Sequence, residues 1–196
     1  MQPETTEKNF LEKNKTWIIV LGVIVLLFLW GVSKYNSFIT QNQAITAQWA
    51  QVENQFQRRF DLIPNIVETV KGVAKQETTV FTAIAEARTR YSGATTQDAK
   101  AAAATQVESA LGRLLVITEN YPVLQSSQAY RDLIVSLEGT ENRISVERMK
   151  YNDLIKVYNN NVITFPSSLL AKLFGMSEHA YFNAASDAQT APKVSF

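Results

Sequence analysis

The sequence predicts an all-α protein. An N-terminal transmembrane helix continues into an antiparallel up-down four-helix bundle, and a short C-terminal helix follows. Three observations carry this expectation. The run from Trp17 to Val32 has no charge, no proline and no strongly polar side chain. Beyond it, apolar residues recur at heptad spacing through four stretches with short breaks, the pattern of helices packed in an up-down bundle. Seven glycines and five prolines in 196 residues are few, which suits long helices, and no alternating strand pattern is present.

The apolar run organises the chain. As a helix its sixteen residues span about 24 Å, and Thr16 and Ser33 bring it closer to the roughly 30 Å hydrocarbon core of a bilayer. It is apolar all round, which suits lipid better than the one-sided stripe of a surface helix. Trp17 and Trp30 stand near its ends, where amphipathic rings prefer the water interface, and Ile18, Leu21, Leu26 and Phe28 are among the side chains that would meet lipid. No small-x-small cleavage pattern follows at Trp30–Tyr35, so the segment reads as an uncleaved signal anchor. Gly22 and Gly31 are nine residues apart and form no small-xxx-small interface. Lys8, Lys13 and Lys15 precede the run, whereas only Lys34 follows closely. The positive-inside rule then leaves the N-terminus in the cytoplasm and the bundle outside it.

Composition narrows the function. Net charge is +1, so no electrostatic footprint for nucleic acid is expected. There are no cysteines and one histidine, His179, which excludes thiolate chemistry and Cys- or His-rich metal sites. No phosphate-binding glycine loop, nucleophile elbow or His-Glu-x-x-His motif occurs. The chain is therefore expected to lack catalytic, metal and cofactor sites, and to take no small-molecule substrate.

Taken in order, residues 1–15 read as a polar, mobile N-terminal tail, 16–34 as the anchor, 35–182 as the bundle and 183–196 as a C-terminal tail. The first bundle helix carries Tyr35, Asn42, Trp49 and Phe56 in one row and Phe38, Ile45, Val52 and Arg59 in the other. Nothing between Val32 and Tyr35 breaks a helix, so anchor and first bundle helix are expected to be continuous. Asp61 and Pro64 are expected to form a helix-break turn, with Asp61 as capping residue and Pro64 in the first turn of the next helix. The second helix then runs to about Tyr91–Gly93. Thr95–Asp98 signals the start of a third, which gains its core at Val107, Leu111, Leu114, Ile117 and Tyr121 and is stopped by Pro122. Ser126–Ser127 precedes the clearest seam, Tyr130, Leu137, Ile144, Tyr151 and Tyr158. Phe165–Ser168 separates it from a short helix over Leu169–Phe174, closed by Gly175. The aromatic segment His179–Phe182 is expected to fold back onto the bundle.

Charged groups fall on or beside these seams: Arg59, Glu77, Arg88, Glu141, Glu147 and Arg148. Buried charges must be paired. An ionic layer that fixes helix register is therefore the expected role.

Three separated stretches carry a family resemblance. The first is Arg58-Arg59-Phe60-Asp61-Leu62-Ile63-Pro64-Asn65-Ile66-Val67, followed by Val70-Lys71-Gly72 and Gln76-Glu77. The second is Glu141-Asn142-Arg143-Ile144, then Arg148, Tyr151-Asn152 and Tyr158-Asn159. The third is Phe165-Pro166, Leu173-Phe174-Gly175 and Tyr181-Phe182. In this order they resemble the LemA family from the anchor to about Phe182. The departures are the Ala-rich stretch Ser92–Thr105 and the C-terminal tail. The resemblance implies a bacterial membrane protein with one span, a helical bundle and no established enzymatic activity; some relatives are associated with membrane-bound organelle formation. It also implies structural roles for Arg59, Asp61, Pro64, Glu77, Glu141, Arg148, Tyr151 and Asn152. The expected function is a non-enzymatic scaffold in the bacterial cell membrane that self-associates as a homo-oligomer and organises or shapes the bilayer. The alternative is an adaptor that binds another membrane protein, such as a membrane protease.

Overall fold

A computed structural model describes the backbone of residues 5–182 and the side chains from residue 14. The expected C-terminal tail and the side chains of Lys8 and Lys13 lie outside the described residues. All regular structure among the described residues is helical: α1 (Thr5–Lys71), α2 (Thr78–Gly93), α3 (Gln97–Thr118), α4 (Pro122–Ser126), α5 (Gln128–Ile163) and α6 (Ser167–Leu173). The chain divides into two compact units, Met1–Ala44 with Lys156–His179 and Ile45–Ile155 with Ala180–Phe196.

Helix α1 corrects the sequence reading twice. It begins at Thr5, so the polar stretch expected as a mobile tail is helical from there. It also passes through Asp61 and Pro64, where a helix-break turn is expected from the sequence, and ends only at Lys71. An interior proline costs about 3 kcal/mol through its missing N–H and the clash of its ring with the preceding turn. Phe60, Ile63, Ile66 and Val70 flank Pro64 as one buried stripe. Burial of each contributes about 2 kcal/mol, so packing outweighs the proline. Pro64 itself is exposed, which leaves water free to reach the unpaired carbonyl side. Asp61 does not cap a helix; it accepts a 2.8 Å bond from Gln57 Nε2 one turn earlier.

The real break is Gly72–Glu77. It is closed by backbone bonds from Gly72 N to Glu68 O (3.1 Å) and from Ala74 N to Val70 O (2.7 Å), with Ala74 buried beneath. Glu77 precedes α2 without a side-chain capping bond. Two further boundaries follow their sequence signals. Thr96 caps α3 by accepting from Ala99 N, and Ser127 Oγ accepts from Tyr130 N at the start of α5. Pro122 does more than end α3: it occupies the first turn of α4, where its fixed φ suits a helix start.

In the second unit the stripe Trp49, Val52, Phe56, Phe60 and Ile63 of α1 is buried with Phe81 and Ile84 of α2, Val107, Leu111 and Leu114 of α3, and Leu137, Ile144 and Tyr151 of α5. The order of contacts gives helix directions. Phe60 touches Tyr91, whereas Lys71 lies over Phe81, so α1 and α2 run in opposite senses. Trp49 touches Tyr151, whereas Arg59 pairs with Glu141, so α1 and α5 do too. Thr118 at the end of α3 shares a buried 2.6 Å bond with the Tyr130 hydroxyl.

In the first unit Phe38 meets Tyr158 edge-on with ring centroids 6.1 Å apart, and Tyr35 meets Phe174 at 5.0 Å. Helix α6 ends in a glycine cap. Gly175 takes a φ of 68°, which costs it little without a Cβ, while Met176 N bonds Ala171 O and Gly175 N bonds Lys172 O.

Candidate functional site

Two features stand out among the described residues, an apolar segment that they leave uncovered and a buried ionic cluster. Trp17, Ile18, Leu21, Leu26 and Phe28 are all exposed, as are most of their neighbours in the run, and none of the most apolar window is buried. A helix of this composition in water would expose apolar surface at about 25 cal/mol per Å², so it requires a cover that the described residues do not provide.

The ionic cluster lies in the second unit. Arg59 is the largest fully buried side chain, at 1% exposure. Its guanidinium pairs with Glu141 and thereby ties α1 to α5. Arg148 pairs with Glu108 through both terminal nitrogens, at 3.2 Å each, and ties α5 to α3. The Arg148 guanidinium also lies 4.4 Å from the Phe182 ring centroid and 5.3 Å from that of Phe56, a cation–π arrangement that compensates for lost water. Burial lowers the Arg59 pKa to about 10; Glu108 opposes that shift and Arg148 adds to it. Arg59 therefore stays cationic at neutral pH, which is why its pairing matters to the fold.

The structure brings together part of the expected network. Arg59, Glu141 and Arg148 belong to the cluster. Glu77 and Arg88 join no ion pair among the described residues, since the break at Gly72–Glu77 shortens the helix that would have carried both on one continuous face. Tyr151 is buried, donates to Gln97 Oε1 (3.3 Å) and packs on Trp49; burial raises its pKa, and the Asp98 carboxylate raises it further. Asn152 lies outside the ionic layer. Its Nδ2 donates to Phe182 O (3.0 Å) and its Oδ1 accepts from Phe182 N (2.8 Å), so one side chain satisfies both backbone groups of the extended segment. In the first unit Asn159 does the same for His179, with both bonds at 2.9 Å, while His179 Nε2 meets Asn42 Oδ1 at 2.7 Å. In Tyr151-Asn152 and Tyr158-Asn159 the tyrosine fills the core and the asparagine holds the returning chain.

Glu108 escaped the sequence reading, because an interhelical partner is set by register between helices and not by spacing along one of them. Glu147 is held by Gln48 (2.6 Å) and Lys150 (2.9 Å), and these bonds, Lys150 first, lower its pKa. An open cavity of about 700 Å³ adjoins the segment, lined in part by Trp49, Tyr151, Tyr181, Phe182, Arg90 and Asp98. Among the described residues no three His, Cys, Asp or Glu side chains converge as a metal site. The buried charges are thus arranged as ties between helices.

The LemA family model matches residues 48–196, which takes in the cluster, both Tyr-Asn pairs and the returning segment. The chain belongs to the LemA family. It is similar to magnetosome protein MamQ 2 of Paramagnetospirillum magneticum, at 27% identity over 84% of this chain and 70% of the relative. It is also similar to magnetosome protein MamQ of Magnetospirillum gryphiswaldense, at 26% identity over 76% of this chain and 65% of the relative. The family, these relatives and the one helix among the described residues that is long and apolar enough to cross a membrane fit a single-pass, membrane-associated protein.

Proposed function

We propose that this LemA-family protein is a membrane-anchored, non-enzymatic scaffold that self-associates and organises the bilayer it sits in. The observation that carries the reading is the wholly uncovered apolar run within α1, whose natural cover is lipid. We further propose that α1, α2, α3 and α5 form the antiparallel up-down bundle expected from the sequence. The opposed contact orders of α1 with α2 and of α1 with α5 support it. Relatives named as magnetosome proteins agree with a role in membrane organisation. The excess of lysines before the span favours a cytoplasmic N-terminus. Confinement of anchored copies to one plane raises their effective concentration, so weak lateral contacts suffice for assembly.

The mass of the full-length protein in mild detergent tests the proposal. A large homo-oligomer is expected. Monomers that co-purify with a second membrane protein would replace the scaffold by the adaptor reading.

A further inference from the structure

We propose that α6 and the turn before it form a foot that rests in the headgroup region of the bilayer, beside the point where the anchor leaves the membrane. The proposal rests on the single-span reading and adds a second lipid contact to it.

Large apolar side chains are exposed in the first unit. Phe165 is 80% exposed, Leu169 62% and Leu173 75%. Leu169 and Leu173 are four apart and share one face of α6. Ser167 and Ala171 are buried on the opposite side, so the helix is docked on its small residues and presents its large ones outward. A water-soluble surface would reverse that order. Lys172 is exposed next to Leu173, and its long stem lets a charge reach lipid phosphates while the neighbouring leucines stay in the apolar layer.

Contacts within the same unit place this face near the anchor's exit. Tyr158 packs on Phe38, α5 ends at Ile163, and after the turn and α6 the chain is back against α1 at Tyr35 through Phe174. Tyr35 lies three residues, or about 4.5 Å of helix, beyond Val32. The apolar run is about 24 Å long against a core of roughly 30 Å. A face this close to the end of the run lies at the depth where an interfacial apolar foot rests. A second protein copy is a poorer cover, since three side chains fall well short of the roughly 800 Å² per partner that a stable interface takes.

The chain has no cysteine, so single cysteines report without interference. Full-length Leu169→Cys and Leu173→Cys, labelled with an environment-sensitive dye, would be reconstituted in phosphatidylcholine–phosphatidylglycerol vesicles. Leu26→Cys in the anchor and Val116→Cys on exposed α3 are the references. Nitroxide lipids labelled near the headgroup are expected to quench the 169 and 173 dyes severalfold more than the 116 dye, and iodide severalfold less. Quenching of the 26 dye by deep nitroxides, with 169 and 173 behaving like 116, would overturn the foot and leave the anchor standing. Dyes at 169 and 173 shielded from both iodide and nitroxide lipids would mean a protein cover and would also overturn it. If the 26 dye resists lipid quenchers, anchor and foot fall together.

Discussion

Helix α1 contains two stretches that differ both in how much apolar surface they carry and in how it is arranged. From Trp17 to Val32 the side chains are apolar on every face and none of the most apolar window is buried. From Phe38 to Val70 they occupy one stripe, and Phe38, Ile45, Val52, Phe56, Ile63, Ile66 and Val70 are buried. Geometry is the same, a helix at 3.6 residues per turn. A full cylinder of apolar side chains needs an apolar cover on every face, whereas a stripe needs neighbouring helices on one side alone. The amount and the arrangement of hydrophobicity together distinguish the two halves of α1.

This contrast can be broken from either side. Phe56 is fully buried against Tyr91, Phe182 and Arg148. Phe56→Ala is expected to lower folding stability by about 4 kcal/mol through the cavity it leaves; thermal unfolding measures it, and membrane retention should not change. Leu26→Arg reverses the pattern, with about 3 kcal/mol lost from insertion and little change in unfolding of the helical region; carbonate extraction of membranes reads the first effect. Glu141→Ala leaves the Arg59 cation buried without its partner and is expected to cost about 3 kcal/mol, at the low end for a broken buried pair, because the Glu141 side chain is 40% exposed. An unfolding midpoint identical to wild type would remove the pair from the list of structural ties. Asn152→Ala exposes no apolar surface but orphans both backbone groups of Phe182; a loss of about 2 kcal/mol is expected, with faster amide exchange at Phe182 as its local signature.

The smallest effect concerns pH. Burial, helped by Glu53, pushes the Tyr91 pKa from 10.0 up to about 12. A raised folded value means the folded state holds its proton longer. The stabilising contribution is complete below pH 10 and is lost as pH rises through about 12. Tyr91→Phe should flatten that loss in unfolding curves taken between these limits.

The heptad rows marked most of the buried faces, because side-chain periodicity is a local property of the chain, but they ran on through Gly72–Glu77, where the helix breaks. The apolar run announced its need for an apolar cover for the same reason, Arg59 was visible as an exception in an apolar row, and Glu141 and Arg148 stood beside another. What the tertiary structure decided is of another kind. Pro64 reads locally as a breaker, yet the stripe Phe60–Val70 packs strongly enough to carry the helix past it. Glu108 became the partner of Arg148 through the register of α3 against α5, which no spacing within one helix specifies. Asn152 found its role only when Phe182, thirty residues away, returned to it. Local propensity and periodicity are additive along the chain and can be read there. Pairing, register and the override of a breaker depend on which surfaces meet, and that is settled by the free energy of the assembled core.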